Sequence, residues 1–117
     1  MRAKSAPARN NHRKKVMKAA KGFKAGRGNM YRHARAAVKR AEQQAFVSRK
    51  LKKREYRRLW ITRINIGTRA HGLTYSRFIA GLNAANVDLD RKQLSELAIH
   101  QPEAFAKLVE QAKAALG

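Results

Sequence analysis

Between Met30 and His71 the chain contains no proline and a single glycine, Gly67, and this stretch constrains the fold more than any other feature. Proline and glycine are the residues that interrupt helices. The stretch therefore predicts one long helix or a kinked pair, up to about 60 Å end to end at the usual rise per residue. Such a helix outruns any core that 117 residues can build. Its middle, residues 48–58, carries seven basic side chains and one acid, Glu55. At roughly 100° per residue those seven spread over about two-thirds of the circumference. A helix polar nearly all round has no face to bury against protein. With nearly all its charges of one sign, opposite-charge pairs at four-residue spacing are scarce and repulsion dominates. The pattern predicts that something polyanionic surrounds this helix.

The rest of the chain extends that bias. Lys plus Arg number 28 against 7 for Asp plus Glu, a formal net charge of +21, which sets the chain apart from most globular enzymes. The excess is uneven: residues 1–58 hold 21 basic and 2 acidic side chains, residues 59–117 hold 7 and 5. With 7% aromatic and 30% charged residues, there is material for one small domain plus an extension. Cysteine is absent, which removes disulfides, thiolate nucleophiles and Cys-based zinc sites. No stretch approaches the roughly 18 apolar residues of a membrane span, and the first residues lead into no apolar signal segment.

Read along the chain, Met1 to about Asn10 mixes basic residues with small ones and Pro7, and is expected as an extended arm. His12 to Lys21 reads as a helix ended by Gly22. Gly22, Gly26 and Gly28 bracket a flexible or tightly turned loop whose amides could approach a phosphate. After the long helix, His71-Gly72 reads as a stop, and Thr74 as an N-cap for a helix from Tyr75 to about Asn83 with Phe78, Ile79 and Leu82 on one face. Asp90 then caps a short helix bearing Leu94, Leu97 and Ala98. Pro102 opens a last helix in which Phe105, Leu108, Val109 and Ala112 follow helical spacing. The small core is expected to begin at Leu59, Trp60, Ile61 and Ile64. The reading is all-α: a long basic N-terminal helical extension, residues 1–58, followed by a small globular bundle of about four helices, residues 59–117.

The basic half is the strongest functional signal, because Lys and Arg neutralise phosphates and release condensed counterions. Tyr31, Phe46, Tyr56 and Trp60 are interleaved with the charges and could stack on unpaired bases, which favours folded RNA over uniform duplex. Trp60 reads better as a core anchor beside Ile61 and Ile64. The glycine loop fits neither a dinucleotide fingerprint nor a Walker loop, since Asn29-Met30 stands where Lys then Ser or Thr would follow. The four histidines, His12, His33, His71 and His100, are at least 21 positions apart and form no local metal motif. Asp88 and Asp90 are the only close carboxylates, and helix capping explains them better than acid–base chemistry. No catalytic residue, metal ligand or cofactor is expected.

The stretch Lys53-Arg54-Glu55-Tyr56-Arg57-Arg58-Leu59-Trp60-Ile61-Thr62-Arg63-Ile64-Asn65, followed by Arg69, resembles the signature of the family of protein twenty of the bacterial large ribosomal subunit. Arg13-Lys14-Lys15-Val16, Lys18-Ala19-Ala20-Lys21-Gly22-Phe23, Tyr31-Arg32, Gly72 to Ile79, Asp90-Arg91-Lys92 and the terminal Ala104-Phe105 to Ala115-Leu116 match the same family in order and spacing. The resemblance covers essentially the whole chain. Departures are small: Asn10-Asn11 lies where a more continuously basic run is common, and Gly28-Asn29 where Lys or Ser is more usual.

This resemblance implies a structural, non-enzymatic protein that binds 23S-type ribosomal RNA directly, supports early assembly of the large subunit, and neighbours other large-subunit proteins in the cytoplasmic or an organellar ribosome. Some members of the family also repress their own operon by binding its messenger. It implies no membrane, no small-molecule substrate and no homo-oligomer. Carried onto this sequence, phosphate contacts along threaded RNA fall to Arg9, Arg13, Lys14, Lys15, Lys18, Lys21, Arg27, Arg32, Arg35 and Lys39, and nearer the domain to Arg49, Lys50, Lys52, Lys53, Arg54, Arg57 and Arg58. Arg63, Asn65, Arg69, Thr74, Tyr75, Ser76 and Arg77 are the expected readers of RNA shape, through contacts that charge alone does not supply. The residues themselves also leave open a nucleoid-type DNA binder or a transient RNA chaperone. A DNA binder, however, calls for a dimerisation heptad or paired half-site architecture that is not seen. An organellar presequence or a membrane-active helix within the first 28 residues is a further alternative, against which the family match through those residues counts. Charge repulsion further predicts that residues 1 to about 55 are largely disordered without RNA.

Overall fold

The computed structural model describes residues 6–117. It contains six helices: α1 (Ala6–Ala19), α2 (Gly26–Asn29), α3 (Tyr31–Ala70), α4 (Tyr75–Ala84), α5 (Arg91–His100) and α6 (Pro102–Leu116). No strand occurs among the described residues. The long proline-free stretch forms a single helix, α3, rather than a kinked pair. The chain divides into two compact units, one ending at Leu51 and one running from Lys52 to Gly117, so α3 contributes to both.

In the first unit the expected extended arm does not hold beyond residue 5: α1 is already helical at Ala6. Residues 1–5 of that expectation lie outside the described part. Pro7 falls in the first turn of α1, where its missing N–H costs nothing and its fixed φ suits a helix. Alanines on either side supply the strongest helix propensity. The end of α1 matches expectation, with Gly22 at φ +87° and the Phe23 amide donating to the Ala20 carbonyl at 3.1 Å. The glycine loop holds a short helix, α2, that its composition did not reveal. Gly28 is needed there because a Cβ would collide with the Phe23 carbonyl. Ala20, Ala34 and Val38 form a small buried cluster, with Val16, Met17 and Phe23 packed against it.

The second unit holds the main core: Ile64, Leu73, Phe78, Leu82, Leu94, Phe105, Val109 and Ala112. α4 and α5 both pack on α6, and the Phe78 and Phe105 rings meet at 5.4 Å between centroids. α3 ends as its sequence predicts: Gly72 takes φ +75°, its amide donates to Arg69 and that of Leu73 to Thr68, both at 3.0 Å. This pairing satisfies the last carbonyls and swings Leu73 into the core. Asn86 does the same after α4 at φ +53°, with Val87 donating to Leu82 at 2.9 Å. Asp90 caps α5 through a reciprocal box: its carboxylate accepts from the Gln93 amide at 2.7 Å, and its own amide donates to the Gln93 side chain at 3.0 Å. Thr74 sits at the N-cap of α4, but its hydroxyl makes no capping bond. Pro102 occupies the first turn of α6.

Trp60 is not the core anchor expected. It is half-buried, outside the buried cluster, and its ring faces Tyr56 at 6.1 Å. The core begins one turn later, at Ile64, because the face of α3 that meets the bundle is set by Ile64, Gly67 and Thr68.

Candidate nucleic-acid interface

Within the first unit, Arg9, Arg13, Lys14, Lys15 and Lys18 of α1, Lys21 after it, Arg27 of α2, and Arg32, Arg35 and Lys39 of α3 are all exposed. Arg49 and Lys50, close to its end, are exposed as well. Helical periodicity scatters these cations around their helices, and none of them has an acidic partner among the described residues. Their charge is thus uncompensated within the protein. Tyr31 is half-buried, with the Arg13 guanidinium 5.3 Å from its ring centroid, so it braces α1 against α3. Phe46 is open to solvent on one side and carries the Lys50 ammonium 4.6 Å from its centroid.

In the second unit, Lys52, Lys53, Arg54, Arg57 and Arg58 are exposed as well. Arg58 alone among these has an acidic neighbour, Glu55 at 3.7 Å, a solvent-facing pair of little energetic weight. Lys52 stands 5.9 Å over the Tyr56 ring. Among the expected shape readers, the Asn65 side-chain oxygen Oδ1 accepts from Arg69 Nε at 3.2 Å, one turn apart. That bond uses one N–H of an exposed guanidinium and leaves four others for a ligand. Arg63 and Asn65 are half-buried; Thr74, Ser76 and Arg77 are exposed at the start of α4. No hydrogen bond joins Arg63, Thr74, Ser76 or Arg77 to another side chain among the described residues.

Tyr75 is engaged from within: its ring packs on the core and its hydroxyl accepts from Arg91 Nε at 2.7 Å. Arg91, which sequence reasoning did not select, thereby ties the first turn of α5 to that of α4. Lys113 Nζ likewise donates to the His71 carbonyl at 2.6 Å, joining α6 to the end of α3. Neither was recognisable beforehand, since each bond spans 16 or 42 residues. No group of three or more metal-binding side chains comes together among the described residues, and no described helix is long and apolar enough to cross a membrane.

Fold and surface together define the class: a small all-helical polycation whose basic side chains face solvent with almost no acid to neutralise them. The sequence pattern of the family described as ribosomal protein L20 matches residues 2–108. Similar proteins include the large ribosomal subunit protein bL20 of Desulfovibrio desulfuricans, 52% identical over the whole of this chain and 99% of that protein. That of Clostridium perfringens is 57% identical over 91% of this chain and 88% of that protein, and that of Afipia carboxidovorans 60% over 88% and 87%. The chain belongs to the ribosomal protein L20 family, and is a structural protein rather than an enzyme.

Proposed function

We propose that the chain is a structural constituent of the large ribosomal subunit that binds 23S-type ribosomal RNA directly and supports early assembly of that subunit in the cytoplasm, beside other large-subunit proteins. One observation carries the reading: in a member of this family, the basic residues from Arg9 to Arg57 assigned to RNA are all exposed and none of them has an acidic partner among the described residues. RNA supplies the missing counter-charge. We assign residues 1–58 the role of an RNA-threading extension, acting through phosphates, and residues 59–117 the reading of RNA shape through Arg63, Asn65, Arg69, Thr74, Tyr75, Ser76 and Arg77. Tyr75 acts largely by positioning, through Arg91. Repression of its own operon would use the same surface on a messenger.

A filter-binding salt titration tests this, with large-subunit RNA fragments as ligand and DNA duplex, scrambled RNA and the operon leader as competitors. It compares the full chain with residues 59–117, which retain every residue of the main core. The slope of log affinity on log salt falls by about 0.7–0.9 per phosphate contact removed, so the truncated domain should show a much shallower slope while keeping its preference for one RNA fragment. Arg77→Ala should weaken cognate binding more than a single Lys→Ala in the extension. Equal competition by DNA duplex, or equal losses on cognate and scrambled RNA, would overturn the reading.

A further inference from the structure

A cavity of about 760 Å³ lies within the first unit, between the turn from Phe23 to Arg27 and the first turns of α3. Its size falls in the range of pockets that enclose small organic ligands, roughly 300–1,000 Å³. Ala36, Ala37 and Ala41 lie on one face of α3 and form its floor; ending at Cβ, they let an occupant approach the helix closely. Phe23 lines one side. That ring also packs on the Ala20–Ala34–Val38 cluster, so it is held from behind while part of its surface faces the groove. The Phe23 backbone is fixed as well, by the hydrogen bond its N–H donates to the Ala20 carbonyl and by the close approach of Gly28 to its own carbonyl. Lys24, Arg27, Arg32 and Arg40 also line the cavity, and no carboxylate does.

The other described cavities lack this combination. One against α5 has Glu96 and no Lys or Arg; a neighbour at the start of α6 sets Glu103 against Lys107; the one between α1 and α3 includes Glu42 and no Phe, Tyr or Trp. A free phosphate would make no use of an aromatic wall and alanine floor, and an apolar peptide would make no use of four cations. An unpaired nucleotide uses both, since bases splayed out of a helix stack on aromatic rings while their phosphates bind Arg and Lys. A duplex keeps its base faces stacked internally and offers none.

We propose that this groove seats an unpaired nucleotide of the bound RNA, its base against Phe23 and the alanine floor and its flanking phosphates on Arg27, Arg32 and Arg40. His33 and Gln44 also line the groove. The proposal rests on the RNA-binding function above and adds a specific subsite to it.

The test uses the full chain as wild type, Phe23→Leu, Ala37→Leu and Val47→Leu. The probes are a short single-stranded oligoadenylate and an abasic oligomer of equal length and charge. Ala37→Leu fills the groove while keeping charge and helix propensity and leaving the small buried cluster intact. It keeps the test meaningful even if Phe23→Leu loosens that cluster. The exposed Val47 lies outside the groove and serves as control. Wild type should prefer the oligoadenylate by about tenfold, the size of one base–aromatic stack. Phe23→Leu and Ala37→Leu should each lose most of that preference with unchanged affinity and salt slope on the abasic oligomer, and Val47→Leu should keep it. Retention of the full preference by Ala37→Leu, or its absence in wild type, overturns the groove assignment. Preference for large-subunit RNA over DNA duplex, measured on the same wild-type chain, separates that outcome from failure of the RNA-binding reading itself.

Discussion

Replacing Gly81 by alanine tests the packing of the C-terminal unit most directly, because two effects of opposite sign compete at that residue. Gly81 lies inside α4, where alanine is favoured over glycine by about 1 kcal/mol of helix propensity. Against this, a Cβ at Gly81 would stand 2.5 Å from the Ala112 carbonyl oxygen and 2.8 Å from both the Cα and Cβ of Ala112, where ordinary contact begins at 3.4 Å. The obstructing atoms are mostly backbone of α6, so no rotamer change relieves them. α4 and α6 would have to part, loosening the contacts of Phe78, Leu82 and Val109 in the core. Overpacking of this kind costs about 1–3 kcal/mol, and the upper part of that range applies where backbone must move. Net of propensity, Gly81→Ala should destabilise the unit by about 1–2 kcal/mol, a fall in Tm of roughly 5–15 °C for a domain of this size. Urea and thermal unfolding of the purified chain, followed by circular dichroism, would measure it. Gly67→Ala is the internal comparison. It gains the same propensity, and its Cβ would meet the Phe105 ring edge at 2.9 Å, a side chain that can yield more than backbone can. Its loss should be the smaller of the two. A Gly81→Ala protein as stable as wild type, or more so, would refute the close approach of α4 and α6.

Three further outcomes follow from particular contacts. Asp90→Ala removes the reciprocal cap on α5 and should cost about 1 kcal/mol in urea unfolding, whereas Thr74→Ala, whose hydroxyl makes no capping bond, should cost clearly less; equal losses would contradict the difference. Ser95 Oγ is buried without a hydrogen-bond partner, so Ser95→Ala should be neutral or raise stability by up to about 1 kcal/mol, and a clear loss would mean that the hydroxyl has a partner. In the RNA-free protein, amides of Arg49–Arg58 should exchange rapidly, since that stretch of α3 is exposed throughout and repels itself, and should become protected on adding large-subunit RNA. Strong protection without RNA would disprove the charge argument.

Local physics accounts for what could be read from the sequence by itself. Absence of helix breakers specified α3, Gly72 and Pro102 marked where helices stop and start, and apolar spacing named Phe78, Leu82, Leu94, Phe105, Val109 and Ala112 as core, all of which are buried. The lopsided charge pointed to a polyanion. These signals act over one or two turns, so a reading of neighbouring residues finds them. Which helix faces meet is a different matter, decided by pairs far apart in the chain. Tertiary structure alone placed Trp60 outside the core and Ile64 within it, joined Tyr75 to Arg91 and Lys113 to His71, and pressed Gly81 onto Ala112. It also assembled the groove by bringing Phe23, in the turn after α1, to the face of α3 that carries Ala37. Propensity and periodicity say which faces are apolar; the mutual fit of those faces chooses the partner for each, and that choice exists only once the helices have packed.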